Sequence, residues 1–184
     1  MTKITKIITT FLLLFLAGCG YYNPYIADSD SRPITLSRPL WVNNTGEIGL
    51  ESTMDESLSS WLRKSKLIHL VDNPARAQYE LTGTLLDINY PEISYGNHLL
   101  ANELRANLRV SFSIIDHNNK KNKKDKKVVW VQKNRTFTET LSMSDNPITL
   151  QANKKEALAK ITNDIAEAIY LHIINHIMRL QKAD

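Results

Sequence analysis

Between residues 102 and 116, apolar and polar positions alternate almost without a break. Leu104, Ala106, Leu108, Val110, Phe112 and Ile114 fall on one side, and Arg105, Asn107, Arg109, Ser111 and Ser113 on the other. A period of two is that of a β-strand, and apolar residues on one side only predict a sheet buried on a single face. Residues 78–90 (QYELTGTLLDINY) repeat the pattern, with Tyr79, Leu81 and Leu85 set against Glu80, Thr82 and Thr84. Residues 33–42 and 128–140 complete a predicted set of four strands. The polar stretch 117–127 (HNNKKNKKDKK) predicts the tip of a long hairpin. Asn43-Asn44-Thr45-Gly46 reads as a turn, and Pro91 to Asn97 as a loop.

Two segments carry the helical period instead. Leu50, Met54, Leu58, Trp61 and Leu62 draw one stripe on a helix over residues 49–64. Its acids, Glu51, Asp55 and Glu56, lie early, and Arg63, Lys64 and Lys66 lie at its end, the order that complements the helix dipole. A second helix starts at Ser144 to Pro147, where proline suits a first turn, and runs to about Leu180. Leu158, Ile161, Ile165, Ile169, Ile173, Ile177 and Leu180 hold its stripe. From Tyr170 to Met178 it is apolar more than halfway round, which points to a second covered surface or a partner. The order β-α-β-β-β-α predicts an α+β, two-layer sandwich: two helices packed on one face of a four-stranded mixed sheet.

The first residues follow a different logic. Lys3 and Lys6 precede a short apolar run, Ile7 to Leu16, which ends in Ala17 and Gly18. This is secretory signal architecture, and the run is shorter than the roughly 20 residues that span a bilayer. Leu16-Ala17-Gly18-Cys19 resembles the lipobox of bacterial lipoproteins. That resemblance implies removal of residues 1–18, a diacylglycerol on the Cys19 thiol and acylation of the new amine. Gly20 in place of Asp implies the outer membrane. Residues 19–32 (CGYYNPYIADSDSR) would then form the lipidated N-terminus and tether, and 33–184 a single domain. Cys19 is the only cysteine, so no internal disulfide is available. The full chain carries 23 basic and 19 acidic residues; without Lys3 and Lys6 the net charge is +2, too small to argue for nucleic acid.

Past the lipobox, the chain resembles the LptE family, the lipopolysaccharide-assembly lipoproteins of the Gram-negative outer membrane. The similarity begins at Cys19-Gly20-Tyr21. It continues at Asn44-Thr45, like the family's Asn-x-Thr turn, at Gly49-Leu50-Glu51, like its helix start, and from Ala77 to Gly83 (AQYELTG), like the approach to its second strand. It departs at Gln78, where the family has an acid, and in the charge of the hairpin tip. The resemblance implies a lipid-anchored subunit that plugs an LptD-like outer-membrane β-barrel, binds lipopolysaccharide and catalyses nothing. A different class of protein fits the same anchor and domain: a regulatory or pilotin-like lipoprotein acting on a cell-wall synthase or another secretion channel.

Candidate contacts are few. Lys120, Lys121, Lys123, Lys124, Lys126 and Lys127 crowd the hairpin tip with Asp125 as the only acid; without them the mature charge would fall from +2 to −3. Such a run is usually a solvated tip; alternatively it holds phosphorylated sugars. Arg105 and Arg109 share the polar side of the clearest strand, suited to bidentate binding of lipopolysaccharide phosphate or to pairing with neighbouring acids. Trp130 alternates against Val129 and Val131, which would put it beside those arginines or against its own loop. His172 and His176 have a metal-binding spacing but no third ligand in the sequence nearby, so they read as half-buried helix residues. No nucleophile with its base, phosphate-cradling loop or carboxylate pair stands out, and neither an enzyme, a cofactor nor a metal is expected.

The lipobox reading makes a direct prediction. Cys19→Ser should leave an uncut precursor without acyl chains, seen by mass spectrometry as the mass of the full chain; normal processing before residue 19 would refute it.

Overall fold

The computed structural model describes residues 32–95, 101–117 and 127–181. The expected leader at 1–18, Cys19 and the tether up to residue 31 lie outside the described residues. So do Lys120, Lys121, Lys123, Lys124 and Lys126. The elements are β1 (Ile34–Ser37), β2 (Val42–Asn43), α1 (Leu50–Leu62), β3 (Ile68–Leu70), a 3-10 turn (Pro74–Arg76), β4 (Tyr79–Asn89), β5 (Glu92–Tyr95), β6 (Ala101–Asp116), β7 (Lys127–Ser142) and α2 (Pro147–Gln181).

The α+β class and the two layers are as expected; the strand count is not. Seven strand segments replace the predicted four. They make five ribbons. β1 and β2 both run parallel to β4, at Leu36↔Tyr79 and Val42↔Thr84, so they are one strand interrupted at Pro39. β4 and β5 both run antiparallel to β6, interrupted around Pro91. β3, parallel to β1, forms one edge, and β7, antiparallel to β6, the other. The three added segments have two to four residues each, too short for a period of two to show in the sequence.

The alternation on β6 is realised as read. Leu104, Ala106, Leu108, Val110, Phe112 and Ile114 are all buried, while Arg105 and Arg109 are exposed. Two helices cover the apolar side. α1 contributes Leu50, Met54, Leu58 and Leu62, four residues apart and all buried. It starts after Gly49, whose φ of 83° is a left-handed conformation that glycine adopts without strain. α2 starts behind Asn146, whose side-chain oxygen accepts the Ile148 amide at 2.9 Å, an N-cap bond. Its Leu158, Ile161, Ile165, Ile169, Ile173 and Ile177 are buried. A second stripe meets α1. Ser57 bonds Thr162 at 3.0 Å, Trp61 Nε1 donates to Asn163 at 2.8 Å, and the Trp61 and Tyr170 rings lie 5.6 Å apart. The apolar surplus noted in the sequence is thus covered in part within the chain. Among the described residues no helix is long and apolar enough to cross a membrane.

Gly83 has a packing reason. It faces the helix side opposite Phe112, and a Cβ there would come within 2.2 Å of the Trp41 ring. The missing side chain lets Trp41, 4% exposed, lie on the sheet and stack on Phe112 at 5.8 Å.

The facing of β6 predicts a large asymmetry between neighbours. Leu108→Asp buries an unpaired charge and should cost about 3–5 kcal/mol. Asn107→Asp, on the open face, should stay within about 0.5 kcal/mol of the parent. Urea or thermal unfolding measures both, and equal losses would refute the assignment of faces.

Candidate functional site

The open face of the sheet holds the predicted binding arginines. It is lined by Thr82, Thr84, Asp87 and Asn89 of β4, by Arg105, Asn107, Arg109, Ser111 and Ser113 of β6, and by Thr136, Thr138 and Thr140 of β7, as the cross-strand register dictates. Several of these side chains bond one another: Thr82 with Ser113 at 3.1 Å, and Asn107 Nδ2 to Asn89 Oδ1 at 2.9 Å.

Arg109 lies 3.5 Å from the Asp87 carboxylate, with both side chains half exposed. This pair was not legible in the sequence. An uninterrupted alternation would send Asp87 to the helix side with Leu81 and Leu85. A bulge at Leu86 shifts the register, so that Leu85 faces Val110, Asp87 faces Arg109 and Ile88 faces Leu108. The extra residue moves the carboxylate to the open face and brings Ile88 over to the core side. A shallow depression lined by Asp87, Asn89, Asn107, Arg109 and Thr136 results. Arg105 is exposed opposite Thr140 and has no ion-pair partner among the described residues.

Of the six lysines only Lys127 is among the described residues, and it is not brought beside the arginines. Lys127 stands opposite Asp116, at the end of the hairpin strands. At about 3.4 Å per residue it is roughly 24 Å from the level of Arg109 and roughly 37 Å from that of Arg105. The same end of the sheet receives the chain as it enters β1, since Leu36 lies beside Tyr79 and Tyr79 beside Asp116.

Trp130 is not beside the arginines. A second bulge on β7, at Lys133 and Asn134, breaks the alternation; Asn134 takes φ 53° and its amide donates to Ser111 Oγ at 3.0 Å. Trp130 then pairs with Ile114 on the helix side. There it stacks on His172 at 3.7 Å and 10° and meets Phe112 edge-on at 5.0 Å. His176 meets Tyr79 edge-on at 6.0 Å. The two histidines therefore serve as aromatic packing groups between α2 and the sheet. Among the described residues no group of three or more His, Cys, Asp or Glu is placed to hold a metal ion.

Two further polar clusters hold α1 in place. The Arg38 guanidinium reaches Asp55 and Ser59 of α1. Burial lowers its pKa and Arg63 lowers it further, against the opposing attraction of Asp72. In the β2–α1 turn, Asn43 Oδ1 accepts from the amide and hydroxyl of Thr45 at 3.0 and 2.7 Å, and Asn43 Nδ2 donates to Glu51 at 2.6 Å. Tyr90 donates to Glu47 at 2.8 Å, and burial followed by that bond pushes its hydroxyl pKa up. The turn motif read at Asn44-Thr45 is thus built by Asn43 and Thr45.

The fold, a one-sided sheet covered by two helices, is that of small α+β domains seen in other solved bacterial proteins. The rare lipoprotein B of Shewanella oneidensis superposes with a TM-score of 0.54 at 10% identity, over 80% of this chain and 98% of that one. A hypothetical protein of Chlamydia trachomatis superposes with a TM-score of 0.54 at 9% identity, over 79% and 98%. At such identities these likenesses concern the fold alone. No curated protein matches the sequence. The family model for LptE, described as lipopolysaccharide-assembly, matches residues 35–173, and the chain belongs to that family.

The His172–Trp130 and His176–Tyr79 contacts carry a pH prediction. Burial is the main cause that lowers the pKa of both rings; His176 and Arg179 add to it for His172, and Arg179 and Lys127 for His176, with Asp116 opposing. A base whose pKa is lower folded than unfolded stabilises fully above its unfolded value of about 6.5, and that contribution is lost as pH falls towards the lowered value. The melting temperature should therefore fall from pH 7.5 to 5.5. His172→Phe, which keeps a ring on Trp130 but cannot titrate, should make the fall shallower. An unchanged slope would refute the link.

Proposed function

We propose that this chain is a lipid-anchored, non-catalytic subunit of the outer membrane that works with an LptD-like β-barrel to place lipopolysaccharide in the outer leaflet. The family match over residues 35–173 carries the reading. The anchor is Cys19, with residues 1–18 removed; the apolar leader and the lipobox support this. In this reading the domain occupies the barrel lumen and itself binds lipopolysaccharide. No nucleic acid and no cofactor enters the scheme.

The open face supplies the means of binding. Arg105 presents a guanidinium with no ion-pair partner among the described residues, and Arg109 a second one, partly offset by Asp87. The threonines and asparagines around them offer donors and acceptors to sugar hydroxyls. We assign the lipopolysaccharide phosphates to Arg105 and Arg109. Lys120, Lys121, Lys123, Lys124, Lys126 and Lys127 assist by attracting the anionic ligand at a distance, because exposed charges steer more than they hold.

Purifying the full chain from outer membranes tests the partner: a large β-barrel recovered in about equal amount supports the assignment. A cell-wall synthase or a secretion channel recovered instead would replace it with the regulatory or pilotin reading. Lipopolysaccharide binding tests the site through changes of opposite sign. Arg105→Ala with Arg109→Ala should weaken binding and reduce its salt dependence. Asp87→Asn frees Arg109 and should strengthen binding a few-fold, up to about fivefold, the scale of an exposed ion pair. Unchanged affinity in both variants, with the fold intact by circular dichroism, would remove this face from the site.

A further inference from the structure

The two edges of the sheet differ sharply. β3 exposes an edge only three residues long. β7 has 16 residues and, among the described residues, pairs with β6 alone. Long free edges invite pairing with another strand, and proteins commonly guard them with lysines and bulges. The first half of β7 is guarded in this way by Lys127, Lys133 and the bulge at Asn134. The guard stops there. From Arg135 to Ser142 the register against β6 is unbroken, Val110↔Arg135 through Glu103↔Ser142, and the segment contains no lysine or proline.

This open stretch is complementary to itself. In an antiparallel pair centred on Phe137, Arg135 of one copy stands opposite Glu139 of the other, Thr136 opposite Thr138, and Phe137 opposite its counterpart. Arg135, Phe137 and Glu139 share the helix side, opposite Val110, Leu108 and Ala106. The two-fold thus creates two opposite-charge pairs flanking a central pair of aromatic rings, with threonines facing each other on the open side. Each of these pairings favours adjacent strands. Arg135 is exposed and lies over the Phe137 ring at 4.7 Å, next to the proposed axis. Among the described residues Glu139 pairs with Lys160, at 3.7 Å, and a carboxylate has room for a second partner. Thr136, Thr138 and Thr140 are exposed. The axis runs normal to the sheet, so both copies of α2 stay in one layer and the joined sheet keeps one covered and one open face.

We propose that β7 is a homodimerisation edge: two copies of this chain join antiparallel through Arg135–Glu139 about a two-fold axis at Phe137. This goes beyond the lipopolysaccharide-assembly reading and does not depend on it; it concerns the chain when it is not seated singly in a barrel lumen.

The test uses the full chain purified in detergent. Phe137→Cys places two thiols opposite each other at the axis and should give a disulfide-linked dimer under mild oxidation. Thr140→Cys should not, because its counterpart lies six residues away along the partner strand, roughly 20 Å, beyond the reach of a disulfide. The unsubstituted chain, with Cys19 alone, sets the background. In the Phe137→Cys chain, adding Arg135→Glu or Glu139→Arg puts like charges opposite each other and should lower the dimer yield at least about tenfold. The two changes together exchange the charges and should restore it, which a merely misfolded variant would not do. Dimer at residue 137 with recovery in the exchanged chain establishes the interface. No dimer at 137, equal dimer at 137 and 140, or no recovery with all folds intact by circular dichroism overturns it.

Discussion

The row from Leu104 to Ile114 on β6 is the surface around which the molecule is organised. Six apolar side chains on one side of one strand must leave water, and each large one contributes about 1.5–3 kcal/mol when fully buried. A single helix is too narrow to cover five ribbons, so α1 and α2 lie side by side. Their mutual contact, through Ser57, Trp61, Thr162, Asn163 and Tyr170, follows from that need. Because all of this burial is on one side, the other side is left to polar residues and is, among the described residues, the broad sheet surface open to a ligand.

Two of the bulges then decide where the candidate residues are displayed. The one at Leu86 turns Asp87 outward to Arg109 and Ile88 inward; the one at Lys133 and Asn134 turns Trp130 inward to His172. Each corrects a local mismatch between the chain's order of residues and the burial that the neighbouring strand imposes. The gap at Gly83 is a third adjustment, since it admits the Trp41 ring against the sheet. From Trp41 through Phe112 and Trp130 to His172, the resulting rings run across β4, β6 and β7 to α2. They tie the tip end of the hairpin strands to the last helix.

For function, the consequence is a separation of charge. Arg105 and Arg109 occupy the half of the open face far from the hairpin tip, whereas Lys127 lies at the end where the chain enters β1. One compact anion cannot touch both. A large amphiphile with several charged groups, such as lipopolysaccharide, would meet the two basic regions with different parts of its surface, consistent with holding at one and steering at the other.

The sequence by itself determined the class of fold, the faces of β6 and the course of both helices, because these rest on long repeats of hydrophobicity: eleven alternating positions from Leu104 to Ile114 and a helical stripe from Leu158 to Ile177. It also carried the family resemblance through short motifs at Gly49-Leu50-Glu51 and from Ala77 to Gly83. The short segments β2, β3 and β5 were left to the tertiary structure, since two to four residues form a strand only when a neighbour supplies the hydrogen bonds. The same holds for the Asp87–Arg109 pair and the inward turn of Trp130. A single extra residue in a strand reverses every side chain beyond it, and its position is set by what the partner strand must bury, not by any local preference of the chain.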